Sequence, residues 1–140
     1  MTALPQLDLA AQAAAQWVDD LDRRLGWRER DKVYLALVAT LHALRDSLPP
    51  QEAVFLAEYL TPLVRGLYYE GWRMTKAPRG AKTRDAFLER IRDGVHHDAG
   101  IDADEVGHAV LALLAAHLPA AEFENVKAAT PRELRAFWPA

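Results

Sequence analysis

The 140-residue chain has no cysteine, a single serine (Ser47) and a single asparagine (Asn125). Without cysteine it can form no disulfide, no thiolate zinc site and no cysteine nucleophile. Sites that hold polar substrates usually need several short hydrogen-bonding side chains, and this chain has few. Ser47 also lacks the Gly-x-Ser-x-Gly surroundings of a hydrolase nucleophile. We therefore expect no catalytic residues, no cofactor and no enzyme.

Long apolar runs are also missing. The best candidate covers 106–118, which is 13 residues with two histidines, too short for a membrane span. The first residues have no cationic start, and Asp8 interrupts their apolar character, which is not typical of a secretory signal. These features predict a cytoplasmic protein with no membrane partner.

Helical patterns are abundant. Trp17, Leu21 and Leu25 recur every four residues, and Gly26 follows as a helix terminator. A second apolar stripe covers 33–48 and ends before two prolines. No segment shows the alternation of a strand, and 26 alanines favour helix and close helix packing. The fold class predicted is all-α.

The pattern repeats at a spacing of about 70 residues. Phe87, Ile91 and Val95 repeat the spacing of the first stripe, and the Leu-Pro and Thr-Pro steps also recur. We predict one domain over 1–140, made of two tandem units at about 12–72 and 83–139. Each unit has two longer and two short helices, and a basic Pro/Gly linker over 73–82 joins them.

Three segments resemble a known protein family. They are 60–72 (LTPLVRGLYYEGW), 83–88 (TRDAFL) and 134–139 (LRAFWP). They are similar to bacterial proteins known only as domain of unknown function 2267, and the resemblance spans roughly 12–139. It implies an all-α duplicated fold in bacteria and supplies no catalytic residues.

The histidines do not predict a metal site. Glu105 and His108 have the i, i+3 spacing of di-iron helical bundles, but the matching positions of the first unit hold Leu35 and Val38. His96-His97-Asp98 is interpreted as a solvated loop, because a transition-metal site needs three or four converging ligands. We expect no bound metal.

One segment has an unusual charge. Residues 65–84 carry six Lys or Arg and one acid, whereas the whole chain has 17 Lys and Arg against 20 Asp and Glu. A chain with this acidic balance is not a general nucleic-acid binder, so the basic segment needs its own interpretation.

Within this segment, a helix that continued through Trp72 would place Arg65, Tyr69 and Arg73 on one stripe. Tyr68 and Trp72 would lie on a neighbouring, buried stripe. Arginines interleaved with an aromatic ring suit phosphate, carboxylate or a stacked base. The alternative is that the arginines pair with acids of the second unit and hold the two halves together.

The sequence defines no biochemical activity. It favours a non-enzymatic interaction or scaffold protein whose partner is another protein or a second copy of this chain. The alternative is a binding module for an anionic ligand or nucleic acid that acts through 65–82. Salt-sensitive binding to polyanions would favour the alternative.

Overall fold

The computed structural model describes residues 4–73 and 82–140. Within these ranges the chain forms seven α-helices, one 3-10 helix and no strand, which confirms the all-α prediction. In chain order the elements are α1 (Pro5–Leu25), α2 (Arg30–Ser47), α3 (Pro50–Ala57), α4 (Pro62–Tyr69), α5 (Arg84–Gly94), α6 (Ala103–Ala116), α7 (Ala120–Ala129) and η1 (Arg132–Phe137).

The first helix ends where the sequence predicts. Gly26 has a left-handed φ of 72° and its N–H donates to the Asp22 carbonyl at 2.6 Å. Glycine adopts this conformation without steric cost, which explains why α1 stops here. Trp17 and Leu21 are buried and fix the helix on the core.

The centre of the core is formed by α2 and α6. α2 packs against α1, α4, α5 and α6, and α6 packs against α1, α5 and η1 as well. The contact between α2 and α5 is especially close, because a Cβ at Gly94 would lie 2.3 Å from the Cβ of Ala39. Gly94 therefore lets the two backbones approach each other.

The two halves repeat the same order of two longer and two short elements. α1 packs on α6 and α5 packs on α2, while α3 contacts α7. Trp17 and Phe87 are both buried, and so are Leu41 and Leu111. This correspondence agrees with the predicted tandem units, although the duplication itself stays a prediction.

The predicted helix starts at Thr83 and Asp102 are confirmed. The Thr83 hydroxyl accepts a hydrogen bond from the Ala86 N–H at 3.2 Å. The Asp102 carboxylate accepts from the Asp104 and Glu105 N–H groups at 3.0 and 3.4 Å. Both side chains satisfy backbone donors that the first helical turn leaves open.

Two other boundary predictions are wrong. The helix that begins at Pro62 ends at Tyr69, because Gly71 turns the chain with a φ of 75°. Thr130 does not cap a helix in a capping box. Its hydroxyl donates to the Val126 carbonyl, and it accepts from the Trp138 indole, while 132–137 forms a 3-10 helix.

The linker predicted over 73–82 lies mostly outside the described residues, of which only Arg73 and Lys82 belong to it, and both are exposed. No helix in the described part of the chain combines the length and apolar character that crossing a bilayer requires.

Candidate functional site

The structure does not bring the three predicted site residues together as one stripe. Arg65 and Tyr69 lie on α4, but Arg73 follows the turn at Gly71 and is exposed. No residue in 4–73 or 82–140 forms an ion pair or hydrogen bond with Arg73. The stripe therefore ends at Tyr69.

Arg65 bonds to the backbone of its own half. Its Nε donates to the Ala57 carbonyl at 2.9 Å, and its Nη2 donates to the Leu60 carbonyl at 3.0 Å. These carbonyls end α3 and the turn after it, where a helix leaves acceptors without a helical partner. Arg65 thus holds the corner between α3 and α4, and those two N–H groups are occupied.

The aromatic residues of α4 form a contiguous group at the edge of the core. The Tyr69 ring packs edge-on to Tyr68 at 5.3 Å and stacks on Trp72 at 5.4 Å. Tyr68 is fully buried, as predicted, and its hydroxyl donates to the Ala53 carbonyl at 2.7 Å. Burial raises the pKa of Tyr68. Trp72 is half-buried, so it belongs less to the core than predicted.

The most buried charge is Arg45, with 4% of its surface exposed. Its Nη1 donates to the carbonyls of Tyr68 and Glu70, both at 2.8 Å. Its Nε and Nη2 donate to the two carboxylate oxygens of Asp46 at 2.8 and 3.1 Å. Charged hydrogen bonds of this fork geometry offset the cost of burying the guanidinium.

This network joins the two halves. Asp46 also accepts from Nη2 of Arg90 on α5 at 2.5 Å, so one carboxylate links α2 to α5. His42, one turn earlier on α2, donates from Nε2 to the Leu67 carbonyl at 2.7 Å. Burial lowers the pKa of His42, and the nearby positive charge of Arg45 lowers it further. α2 therefore binds three carbonyls at the end of α4.

An apolar groove of about 310 Å³ opens between α1, α2 and α4. Ala14, Ala15 and Val18 of α1, Tyr34 and Leu37 of α2, and Val64 and Leu67 of α4 line it, together with Arg30 and Asp31. Tyr34 is 41% exposed although its surroundings are apolar. The groove can accept apolar side chains, and its charged rim is of mixed sign.

The start of α1 extends this apolar surface. Leu4, Leu7 and Leu9 are 55%, 52% and 64% exposed. They precede the first residues of α1 that pack on the core, which begin at Ala14. The first turns of α1 therefore present leucines to solvent.

One group of potential metal ligands occurs in the described residues. Glu89, Asp93 and His97 lie on the exposed side of α5, with ligand atoms within 4.8 Å of one another. His97 Nε2 is 2.7 Å from the Asp93 carboxylate, whereas His96 is not a member. The other predicted pair diverges, since Glu105 accepts from the Trp27 indole and His108 contacts the Asp104 carbonyl. The absence of a metal site stays a prediction.

Eight helical elements, a core shared between the halves and a buried arginine network define a compact all-helical domain. The chain belongs to the family described as an uncharacterized conserved protein (DUF2267), whose family model matches residues 14–137. This confirms the resemblance noted from segments 60–72, 83–88 and 134–139. A search of curated proteins finds no significant match.

The network around Arg45 is the feature that sequence reasoning missed. Its only signal is that His42, Arg45 and Asp46 fall among the apolar residues of α2, where a purely buried helix would carry none. The corresponding positions of the second half hold Ala112, Ala115 and Ala116. The repeat pattern therefore gives no reason to expect charges there.

Proposed function

We propose that this protein is a non-enzymatic interaction protein, in which a rigid helical core presents the apolar groove to a polypeptide partner. The observation that carries the proposal is the 41% exposure of Tyr34 within a groove of otherwise apolar walls. Apolar surface of this kind with a polar rim marks interaction sites in soluble proteins. Arg30 and Asp31 supply that rim and could orient a partner.

The interior polar groups support a structural rather than a catalytic role. The Thr40 and Ser47 hydroxyls donate to carbonyls of α2 at 2.8 and 2.7 Å. The Arg45 guanidinium is bound to carbonyls and to Asp46. Each of these side chains is committed to the fold, so none of them offers a reactive atom to a substrate.

The proposal is tested by site-specific photo-crosslinking in the native cell. A photoreactive phenylalanine analogue replaces Tyr34 in one variant and Phe55 in the other. Phe55 is a matched control because it is 39% exposed, against 41% for Tyr34, but it lies on α3 and does not line the groove. Crosslinked species are then separated by mass and identified by mass spectrometry.

We expect defined polypeptide adducts from position 34 and few from position 55. An adduct between two copies of this chain counts as a polypeptide adduct. Equal, diffuse labelling at both positions, or no polypeptide adduct at position 34, would exclude the groove as an interaction site.

The anionic-ligand alternative is weaker but stays open. Arg65 has two N–H groups bound to carbonyls, which leaves Tyr69 and Arg73 as the described residues that could contact an anion. Residues 74–81, which carry the remaining charges of the segment except Lys82 and Arg84, lie outside the described residues. Binding to polyphosphate or single-stranded oligonucleotides that weakens steeply with salt would favour this alternative.

The proposal includes a tandem origin for the scaffold and a location in the bacterial cytoplasm. The tandem origin is supported by Arg65 and Arg135, which lie 70 residues apart and bind equivalent carbonyls. The location is supported by the sequence arguments above.

A further inference from the structure

α1 carries a heptad pattern along its whole length. Apolar residues follow one another at alternating steps of three and four, which is the spacing of a helix that packs along a seam against another helix. The residues on this seam are Leu4, Leu7, Ala11, Ala14, Val18, Leu21 and Leu25.

The two ends of this seam have different environments. Leu21 is fully buried in the core, and Ala14, Val18 and Leu25 pack against the core from its edge. Leu7 is 52% exposed, and Ala11 is also exposed. The family model begins at residue 14, so the exposed end of the seam precedes the part of the chain that matches the family.

We propose that the exposed end of this seam pairs with the same segment of a second copy, antiparallel, and forms a symmetric dimer. This rests on the proposed function and names its partner. In the antiparallel register Leu7 of each copy faces Ala11 of the other, and Leu4 faces Ala14. Each layer then pairs a large side chain with a small one, which fills the space between two helices without overpacking.

The groove supports a second copy as the occupant. Ala14 and Val18 belong both to the seam and to the wall of the groove. Leu4 of the second copy, facing Ala14, therefore comes to the mouth of the groove beside the exposed ring of Tyr34. One chain thus carries both an apolar projection and the recess that fits it, as an isologous twofold interface requires.

Charge does not oppose this pairing. Asp8 is the only charged residue from 4 to 18. In the antiparallel register it faces Ala15 rather than Asp8 of the other copy, so no like charges are brought together. A short seam of this kind is smaller than the interface of an obligate dimer, which predicts a reversible association in the micromolar range.

Sedimentation velocity of the full chain over a concentration series tests the dimer. Leu7→Glu places a charge at the centre of the seam in both copies and should weaken association more than about 100-fold, since two buried leucines are lost. Leu9→Glu is the matched control. Leu9 is 64% exposed but lies off the seam, and its change should alter the dissociation constant less than about threefold.

Disulfide trapping tests the register, and the natural absence of cysteine removes any background. Leu7→Cys and Ala11→Cys are made separately, oxidised alone and oxidised as an equal mixture. We expect a covalent dimer mainly in the mixture, because positions 7 and 11 face each other only between antiparallel copies.

Efficient crosslinking of Leu7→Cys with itself would indicate a parallel pair and overturn the proposal. A chain that stays monomeric at high micromolar concentration, or a dimer that Leu7→Glu leaves intact, would overturn it as well. A monomer whose position 34 still crosslinks to another polypeptide would reject the dimer and leave the proposed function standing. A chain with no polypeptide adduct at position 34 would reject the proposed function itself.

Discussion

Arg65 and Arg135 lie 70 residues apart, and each uses Nε and Nη2 to bind two carbonyls around the end of the preceding short helix. Arg65 binds Ala57 and Leu60 at 2.9 and 3.0 Å, and Arg135 binds Thr130 and Ala128 at the same two distances. A planar guanidinium suits two acceptors at a fixed separation, which an ammonium group cannot reproduce. The two arginines therefore hold equivalent corners of the two halves.

Replacing either arginine should destabilise the fold. Arg65→Ala and Arg135→Ala each leave two carbonyls without a protein donor, and we expect a loss of about 1–3 kcal/mol in the free energy of unfolding. The loss should be smaller for Arg135, which is more exposed and whose carbonyls water can reach. Urea unfolding measures both, and Arg65→Lys should recover only part of the loss.

The matched control is Arg73→Ala, because Arg73 is exposed and no described residue binds it. Its effect should stay within about 0.5 kcal/mol. If Arg65→Ala were equally silent, the carbonyl contacts of Arg65 would not contribute to stability, and its guanidinium would again be a candidate for ligand binding.

Local patterns in the sequence predict most helices of this fold. Gly26, Thr83 and Asp102 act within a few residues of their own position, so their roles can be inferred without tertiary information. The role of Thr130 could not be predicted, because Trp138 and the Val126 carbonyl compete for its hydroxyl. A residue whose partners come from a later turn of the fold does not follow its local motif.

The site residues were harder to predict than the helices. The stripe of Arg65 and Tyr69 follows from helical spacing, but the acceptors of Arg65 are backbone carbonyls, which no sequence pattern identifies. Arg45 and Asp46 are adjacent in sequence and resemble a solvated ion pair. Only the packing of α2 against α4 and α5 makes them the buried link between the halves.

Removing the buried guanidinium should cost more than removing any exposed one. Arg45→Met leaves Asp46 half-buried beside Arg90 alone, and it leaves the Tyr68 and Glu70 carbonyls without their donor. We expect a loss of about 3–5 kcal/mol, the usual cost of breaking a buried charge network. Arg92→Met is the control, because Arg92 pairs only with exposed Glu89 and should change stability by less than about 0.5 kcal/mol. A small effect at Arg45 would show that the carbonyls are readily solvated.

The buried histidine predicts a loss of stability in mild acid. The folded state holds the pKa of His42 below the ordinary value of 6.5, chiefly because burial disfavours the charged ring. The unfolded chain then binds more protons than the folded chain as the pH falls through 6.5, so stability falls with it. Urea midpoints at pH 7.5 and 6.0 should differ for the natural protein and differ less for His42→Gln, whose amide can still donate to Leu67. An equal pH dependence in both proteins would contradict this account.

The exposed ligand group on α5 should bind metal only weakly. Glu89, Asp93 and His97 are all exposed, and tight zinc sites hold a fourth ligand and exclude water. We expect no stoichiometric zinc or iron in protein purified without chelators and a millimolar-range zinc affinity by calorimetry. About one metal per chain, lost on His97→Ala and retained on His96→Ala, would contradict the expectation.

Glu52 should destabilise the protein at neutral pH. Its Oε2 atom is buried without a hydrogen-bond partner, and burial together with the charge of Glu122 raises its pKa above 4.5. A carboxyl group whose folded pKa is raised favours the folded state less once the pH exceeds that pKa, because ionisation is easier in the unfolded chain. Glu52→Gln removes the charge and its repulsion by Glu122, so it should raise the urea midpoint at pH 7 and have a smaller effect near pH 4. Glu124→Gln, on the exposed side of α7, is the control and should leave the midpoint nearly unchanged at both pH values. A lower midpoint for Glu52→Gln at pH 7 would mean that the carboxylate is bound by a stabilising cation or water, and calcium or magnesium titration would then separate those two cases.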